Sequence, residues 1–228
     1  MKEKDKIEND KKQEMENITR MKLSKYIDKI DNFCFERKNK DISRALKYVS
    51  SNFESTATLF TLLLEKYDTL GINIQDKSNE IDPYKQAGFL IVDQSRFIFI
   101  ATMSSLEFTA KKISLKEGSP IKKFLDEKNK KKYYYLKDIM QASASEKLNL
   151  ITADEKKEWD FFIDIRNALV HNNAIVDKNL DFKVYDELYS FKKDGKLSGD
   201  IQSLFIFSKR IVELFYNWSQ KHEDSLRF

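Results

Sequence analysis

The sequence predicts an all-α fold: a helical bundle of long antiparallel helices with one small β-hairpin inserted before the last helix. Two observations carry this. Only 5 glycines and 2 prolines punctuate 228 residues, too few turn formers for a β architecture. Apolar residues also recur at three- and four-residue steps over long stretches, the period of a helix with one face turned to a core. A chain of this length buries a sizeable core as one domain, and residues 21–228 read as that domain.

Residues 1–20 are nearly all charged or amide-bearing and read as a frayed segment or a solvated helix. From Ile42 to about Leu70 the apolar positions Ala45, Leu46, Val49, Phe53, Leu59, Leu62, Leu63 and Tyr67 keep helical spacing, and Gly71 is placed to cap the end. Asp82-Pro83 starts a second long helix, with aspartate as N-cap and proline at the first helical position. That helix runs to about Lys116 and stops before Gly118-Ser119-Pro120. A short helix follows Pro120, and another covers Tyr134 to Leu148. Asp154 to His171 forms the next one, ended by Asn172-Asn173, residues that tolerate the left-handed conformation. Between Phe182 and Lys196 the residues alternate and include Asp194-Gly195, which reads as a hairpin. A last amphipathic helix carries Leu204, Phe207, Ile211, Leu214, Phe215 and Trp218.

Composition excludes several classes of function. Two histidines and one cysteine, far apart, give no zinc-ligand spacing. No glycine-rich phosphate loop and no nucleophile elbow is present. Counting leaves a carboxylate-only metal site open, with 37 acids in the chain, but none is grouped in a recognisable loop, so neither a metal nor a cofactor is expected. The single Cys34 cannot form an intramolecular disulfide, and the charged start carries no apolar leader, which together read as cytoplasmic. The most apolar stretch, Ala87 to Phe108, is broken by Asp93, Gln94, Arg96 and Glu107 and is not a membrane span. A net charge of +4 is a weak argument for nucleic acid. The local pattern says more: ten lysines lie between Lys111 and Lys137, beside Tyr133, Tyr134 and Tyr135. Lysines among aromatics suit a phosphate backbone and stacked bases; the plainer alternative is a solvated lysine-rich loop.

The chemistry concentrates in Asp164-Ile165-Arg166-Asn167-Ala168-Leu169-Val170-His171. At about 100° per residue, Trp159, Phe162, Ile163, Leu169 and Val170 surround Arg166, placing a guanidinium in the middle of an apolar face. Such a cation needs a partner. Asp160, Asp164, Asn167 and His171 form a polar column beside it, with Asn167 placed to hydrogen-bond the imidazole. His171 ends the helix, where the macrodipole favours a cation. On the second long helix, Asp93, Arg96, Ser104, Glu107 and Lys111 share one sector of a circumference that is otherwise apolar, with Phe97, Ile98, Phe99, Met103, Leu106 and Phe108 on it. Glu107 is therefore the expected partner of Arg166, and Arg96 and Lys111 are candidates for a substrate phosphate. An internal salt-bridge network without catalysis is the competing reading.

Arg166-Asn167 followed by His171, at the end of a helix in an all-α chain, resembles the signature of the HEPN superfamily (higher eukaryotes and prokaryotes nucleotide-binding domains). Ser104-Ser105-Leu106-Glu107 resembles the helix that often carries an additional acid there. A glycine often follows the family's histidine, and Ala174 stands nearest that place here. The resemblance implies a metal-independent endoribonuclease of a bacterial toxin or antiphage-defence type, cutting RNA through its own 2′-hydroxyl. Arg166, His171, Asn167 and Glu107 would be the catalytic set. It further implies a homodimer, RNA as partner, an antitoxin or regulatory protein, and no membrane. Five residues put Arg166 and His171 about 140° apart on an ideal helix, so convergence requires distortion or a second subunit. The alternative is a non-catalytic interaction module on the same scaffold.

Overall fold

The computed structural model describes residues 23–70, 83–128, 131, 133–185, 187–197 and 201–226. Among them are seven helices and one hairpin: α1 Leu23–Glu36, α2 Lys40–Leu70, α3 Pro83–Ser114, α4 Pro120–Lys128, α5 Leu136–Ser143, α6 Ala153–His171, β1 Leu180–Val184, β2 Glu187–Phe191 and α7 Ile201–Ser225. The all-α class and the hairpin before the last helix are as the sequence predicts. The expectations for residues 1–20, Gly71 and Asp82 lie outside the described residues. No helix among the described residues is long and apolar enough to cross a membrane.

Helix α3 is central, packing against α2, α6 and α7. Lys112 pairs with Asp41 at 2.8 Å while Gln94 bonds Thr56 at 3.0 Å, so α2 and α3 run in opposite directions. The core is aromatic: Phe53, Phe99, Phe162, Phe205, Phe207, Phe215, Trp159 and Trp218 are fully buried. Each such side chain contributes roughly 2–3 kcal/mol on leaving water.

Four expectations are corrected. Helix α1 was not assigned from sequence, yet it buries Tyr26, Ile27, Ile30 and Cys34, and the Tyr26 hydroxyl donates to the Lys209 carbonyl at 2.7 Å. Helix α5 is Leu136–Ser143 rather than Tyr134–Leu148, because the Asp138 carboxylate accepts the Tyr135 backbone N–H at 2.9 Å and fixes the start. The hairpin turn is not Asp194-Gly195. Val184 pairs with Glu187, and Tyr185 takes the positive φ of 51° that a tight turn demands. Asp194-Gly195 instead makes a second turn after β2, next to an Ile175–Lys196 bridge. Finally, Phe97 and Phe108 of α3, counted from sequence with its apolar circumference, are 52% and 69% exposed.

Helix α6 begins with a reciprocal cap. The Glu155 amide donates to the Thr152 hydroxyl at 3.1 Å, and the Thr152 amide to the Glu155 carboxylate at 2.8 Å. It ends through Asn173 and Ala174, at φ 51° and 65°, with the Ala174 amide reaching back to the Ala168 carbonyl at 2.9 Å. An alanine held left-handed costs roughly 1–2 kcal/mol.

Candidate active site

The N-terminal half of α6 is pinned to the core. Glu158, only 6% exposed, receives two bonds from the Arg210 guanidinium of α7 at 2.7 and 2.8 Å. Trp159 and Phe162 are fully buried below it. With that face inward, Ile163, Arg166 and Asn167 project along a flank and reach a cleft of about 290 Å³. The cleft's other walls are Met103 and Glu107 of α3, the start of α5 at Tyr135–Asp138, and Lys131.

Arg166 is held by two neighbours. Its Nη2 lies 3.2 Å from Glu107 Oε2, and its Nη1 donates to Asn167 Oδ1 at 2.9 Å. The expected Glu107–Arg166 pairing is present, for the reason given by the sequence: a cation on a half-buried flank needs an anion from the facing helix. Arg166 Nε is buried without a hydrogen-bond partner. Glu107 also holds Lys111 at 2.6 Å, so one carboxylate bridges two cations. The Lys111 ammonium lies 5.8 Å from the Tyr135 ring centroid. Across the cleft Lys131 pairs with Asp138 at 2.8 Å. That hydrogen bond raises the Lys131 pKa. Burial pushes the Asp138 carboxyl up, but the Lys131 bond and the Tyr135 amide together bring it below its ordinary value.

Three placements differ from expectation. Arg166 lies at the edge of the buried face, not its middle; Trp159, Phe162, Ile165 and Ala168 form the centre, one residue step away from it. Asn167 gives its carbonyl to Arg166, so it does not orient the imidazole. His171 is exposed and outside the cleft lining, without a hydrogen bond or ion pair among the described residues. The rest of the predicted polar column is engaged locally, Asp160 by Lys156 and Asp164 by Lys178. Lys178 is raised by that bond, chiefly.

The two substrate candidates separate. Lys111 borders the cleft through Glu107. Arg96 pairs with Asp93 at 3.7 Å and lies roughly 16 Å along α3 from Glu107, at 1.5 Å per residue. It does not line the cleft. Conversely, Lys131, Tyr135, Lys137 and Asp138 do line it; none is a site residue expected from the sequence, although the first three belong to the lysine–tyrosine run between Lys111 and Lys137. Among the described residues no three His, Cys, Asp or Glu side chains gather as metal ligands would. No family model, curated protein or solved structure matches this chain.

Proposed function

We propose that this chain is a metal-independent endoribonuclease of the HEPN type, serving as a bacterial toxin or in antiphage defence and acting as a homodimer. The observation that carries the reading is the presentation of Arg166: gripped by Glu107 and Asn167, its guanidinium lines an open cleft while the side chain stays 23% exposed. A guanidinium fixed in that way stabilises charge that grows on the phosphorane. The 2′-hydroxyl attacks the adjacent phosphorus and gives its proton to a base. The bond from phosphorus to O5′ then breaks as an acid protonates O5′, leaving a cyclic 2′,3′-phosphate and a 5′-hydroxyl. His171 suits either proton transfer.

One chain offers one such histidine. A two-fold interface brings the same patch of both copies together, which supplies a second imidazole and removes the need for convergence within one helix. Phe97 and Phe108 lie on one side of α3, eleven residues or about 20° apart. With Val170, 43% exposed one turn past Arg166, they offer that interface apolar contact. A non-catalytic module on the same scaffold is favoured by a different observation: Arg166 is already neutralised by Glu107 while His171 faces solvent.

RNA cleavage in excess EDTA, with analysis of the product ends, decides between them. Wild type should leave cyclic phosphates, and His171→Ala should retain its fold and oligomeric state while cleavage falls by roughly 10²-fold or more. A strict monomer at micromolar concentration, or cutting only with added divalent metal, overturns the mechanism. A wild-type protein that cuts no RNA leaves the module reading.

A further inference from the structure

The Arg166 cleft shares a wall with a second, larger one. Tyr135 has extended backbone, φ −93° and ψ 164°, and successive residues of an extended chain project to opposite sides. Tyr135 accordingly lines the first cleft, and Tyr134 lines a second of about 610 Å³ between α4, α5 and the turn after α5. Lys131 and Asp138 line both. The second cleft is completed by Phe124, Lys128 and Lys147, with the Lys128 ammonium 4.8 Å from the Phe124 ring centroid. Cations outnumber carboxylates three to two in the lining of each cleft. Asp138, one of the carboxylates, is occupied by Lys131 and the Tyr135 amide.

The same combination therefore stands on both sides of one ridge: lysines at the rim and an aromatic surface in the wall. Each volume is close to or within the range of about 300–1,000 Å³ that houses a small-molecule-sized group. A single nucleotide would occupy one cleft and leave the other unused. A chain of nucleotides needs cations at successive phosphates and flat apolar surfaces between them. We infer that the two clefts form one groove for single-stranded RNA, in which Lys131 marks the crossing and Lys128, Lys147, Tyr134 and Phe124 form a subsite beside the scissile phosphate. The inference rests on the ribonuclease reading for its direction, since the strand is anchored at Arg166. The ridge then receives the next phosphate, with the following base set against Tyr134 and Phe124.

The test measures binding separately from cutting. A fluorescein-labelled oligouridine of about 12 nucleotides, within the range a single-strand groove spans, is titrated with the full chain by anisotropy at several salt concentrations. His171→Ala is the parent, so the probe survives, and Lys128→Gln/Lys147→Gln is added to it. Both lysines are exposed, and the pairing of Lys147 with Glu127 at 2.7 Å lies at the surface, so the melting temperature should fall by less than about 4 °C. Each lost phosphate contact flattens the slope of log affinity against log salt by about 0.7. Two contacts flatten it by about 1.4, which is about 25-fold weaker binding at 0.1 M salt if the curves meet at 1 M. Unchanged slope and affinity overturn the groove, as does uridine monophosphate competing as well as the oligomer. If wild type cuts RNA while the double variant binds normally, the ribonuclease stands and the groove falls. If the parent binds, the variant weakens and wild type cuts nothing, the groove stands and the ribonuclease falls. A parent that binds no RNA removes both.

Discussion

Replacing Glu107 by glutamine keeps its volume and removes the charge shared by Arg166 and Lys111. At 3.2 Å and an effective dielectric of about 20, the gross Coulomb attraction to Arg166 is about 5 kcal/mol. Most of that is offset by desolvation and by water, because the Glu107 and Arg166 side chains remain 16% and 23% exposed. The net value falls between an exposed pair, below about 1 kcal/mol, and a buried one, about 3–5 kcal/mol. We expect about 2 kcal/mol. For a chain of 228 residues that lowers the Tm by roughly 4–8 °C. Urea denaturation of wild type, Glu107→Gln, Arg166→Met and the double variant isolates the pair, and the coupling should itself be about 2 kcal/mol. Lys111→Met is the control: its pairing with Glu107 is an ordinary helical i,i+4 contact, worth about 0.5 kcal/mol. A Glu107–Arg166 coupling below about 0.5 kcal/mol would refute the argument that the carboxylate positions the guanidinium.

Two further predictions concern stability. His222 is 1% exposed, its Nδ1 has no partner, and burial lowers its pKa from 6.5 to about 4. Between those values the unfolded chain binds the extra proton, so stability is whole above about pH 6.5 and declines by up to about 3 kcal/mol towards pH 4. His222→Gln should flatten that part of the curve of unfolding free energy against pH, and an unchanged curve would contradict the assignment. Arg210→Lys keeps a cation beside the buried Glu158 but loses the two-bond fork, at about 1–2 kcal/mol. Arg210→Ala strands the carboxylate and should cost about 3 kcal/mol in denaturant; an Arg210→Lys variant as stable as wild type would mean that the fork geometry contributes nothing.

Helices with long, strongly periodic runs were legible, as were Pro83 at the start of α3 and the end of α6 at its asparagines. So was the Glu107–Arg166 pair, because isolated charges on apolar helices have few places to go. What escaped depended on neighbours. Helix α1 shows buried positions at helical spacing, but its identity is settled by packing against α2 and α7. The hairpin turn went to Tyr185 because strand pairing, not the strongest local turn signal, sets the register. The lysine–tyrosine run was visible as composition, yet only the meeting of α3, α5 and α6 makes part of it a cleft wall. Asn167 was assigned to the wrong neighbour because spacing alone does not rank an adjacent guanidinium against an imidazole one turn away.

Helix α6 carries two interleaved sets of residues. Trp159, Phe162, Ile165 and Ala168 face inward, while Arg166, Asn167 and His171 stand on the flank or in solvent. Because burial separates the two sets, a substitution in one need not disturb the other. A lineage that replaces His171 or Asn167 keeps its inward surface and so keeps its bundle, whereas one that replaces Trp159 loses both. Were the proposed cleavage lost through such a flank substitution, the chain would remain well folded.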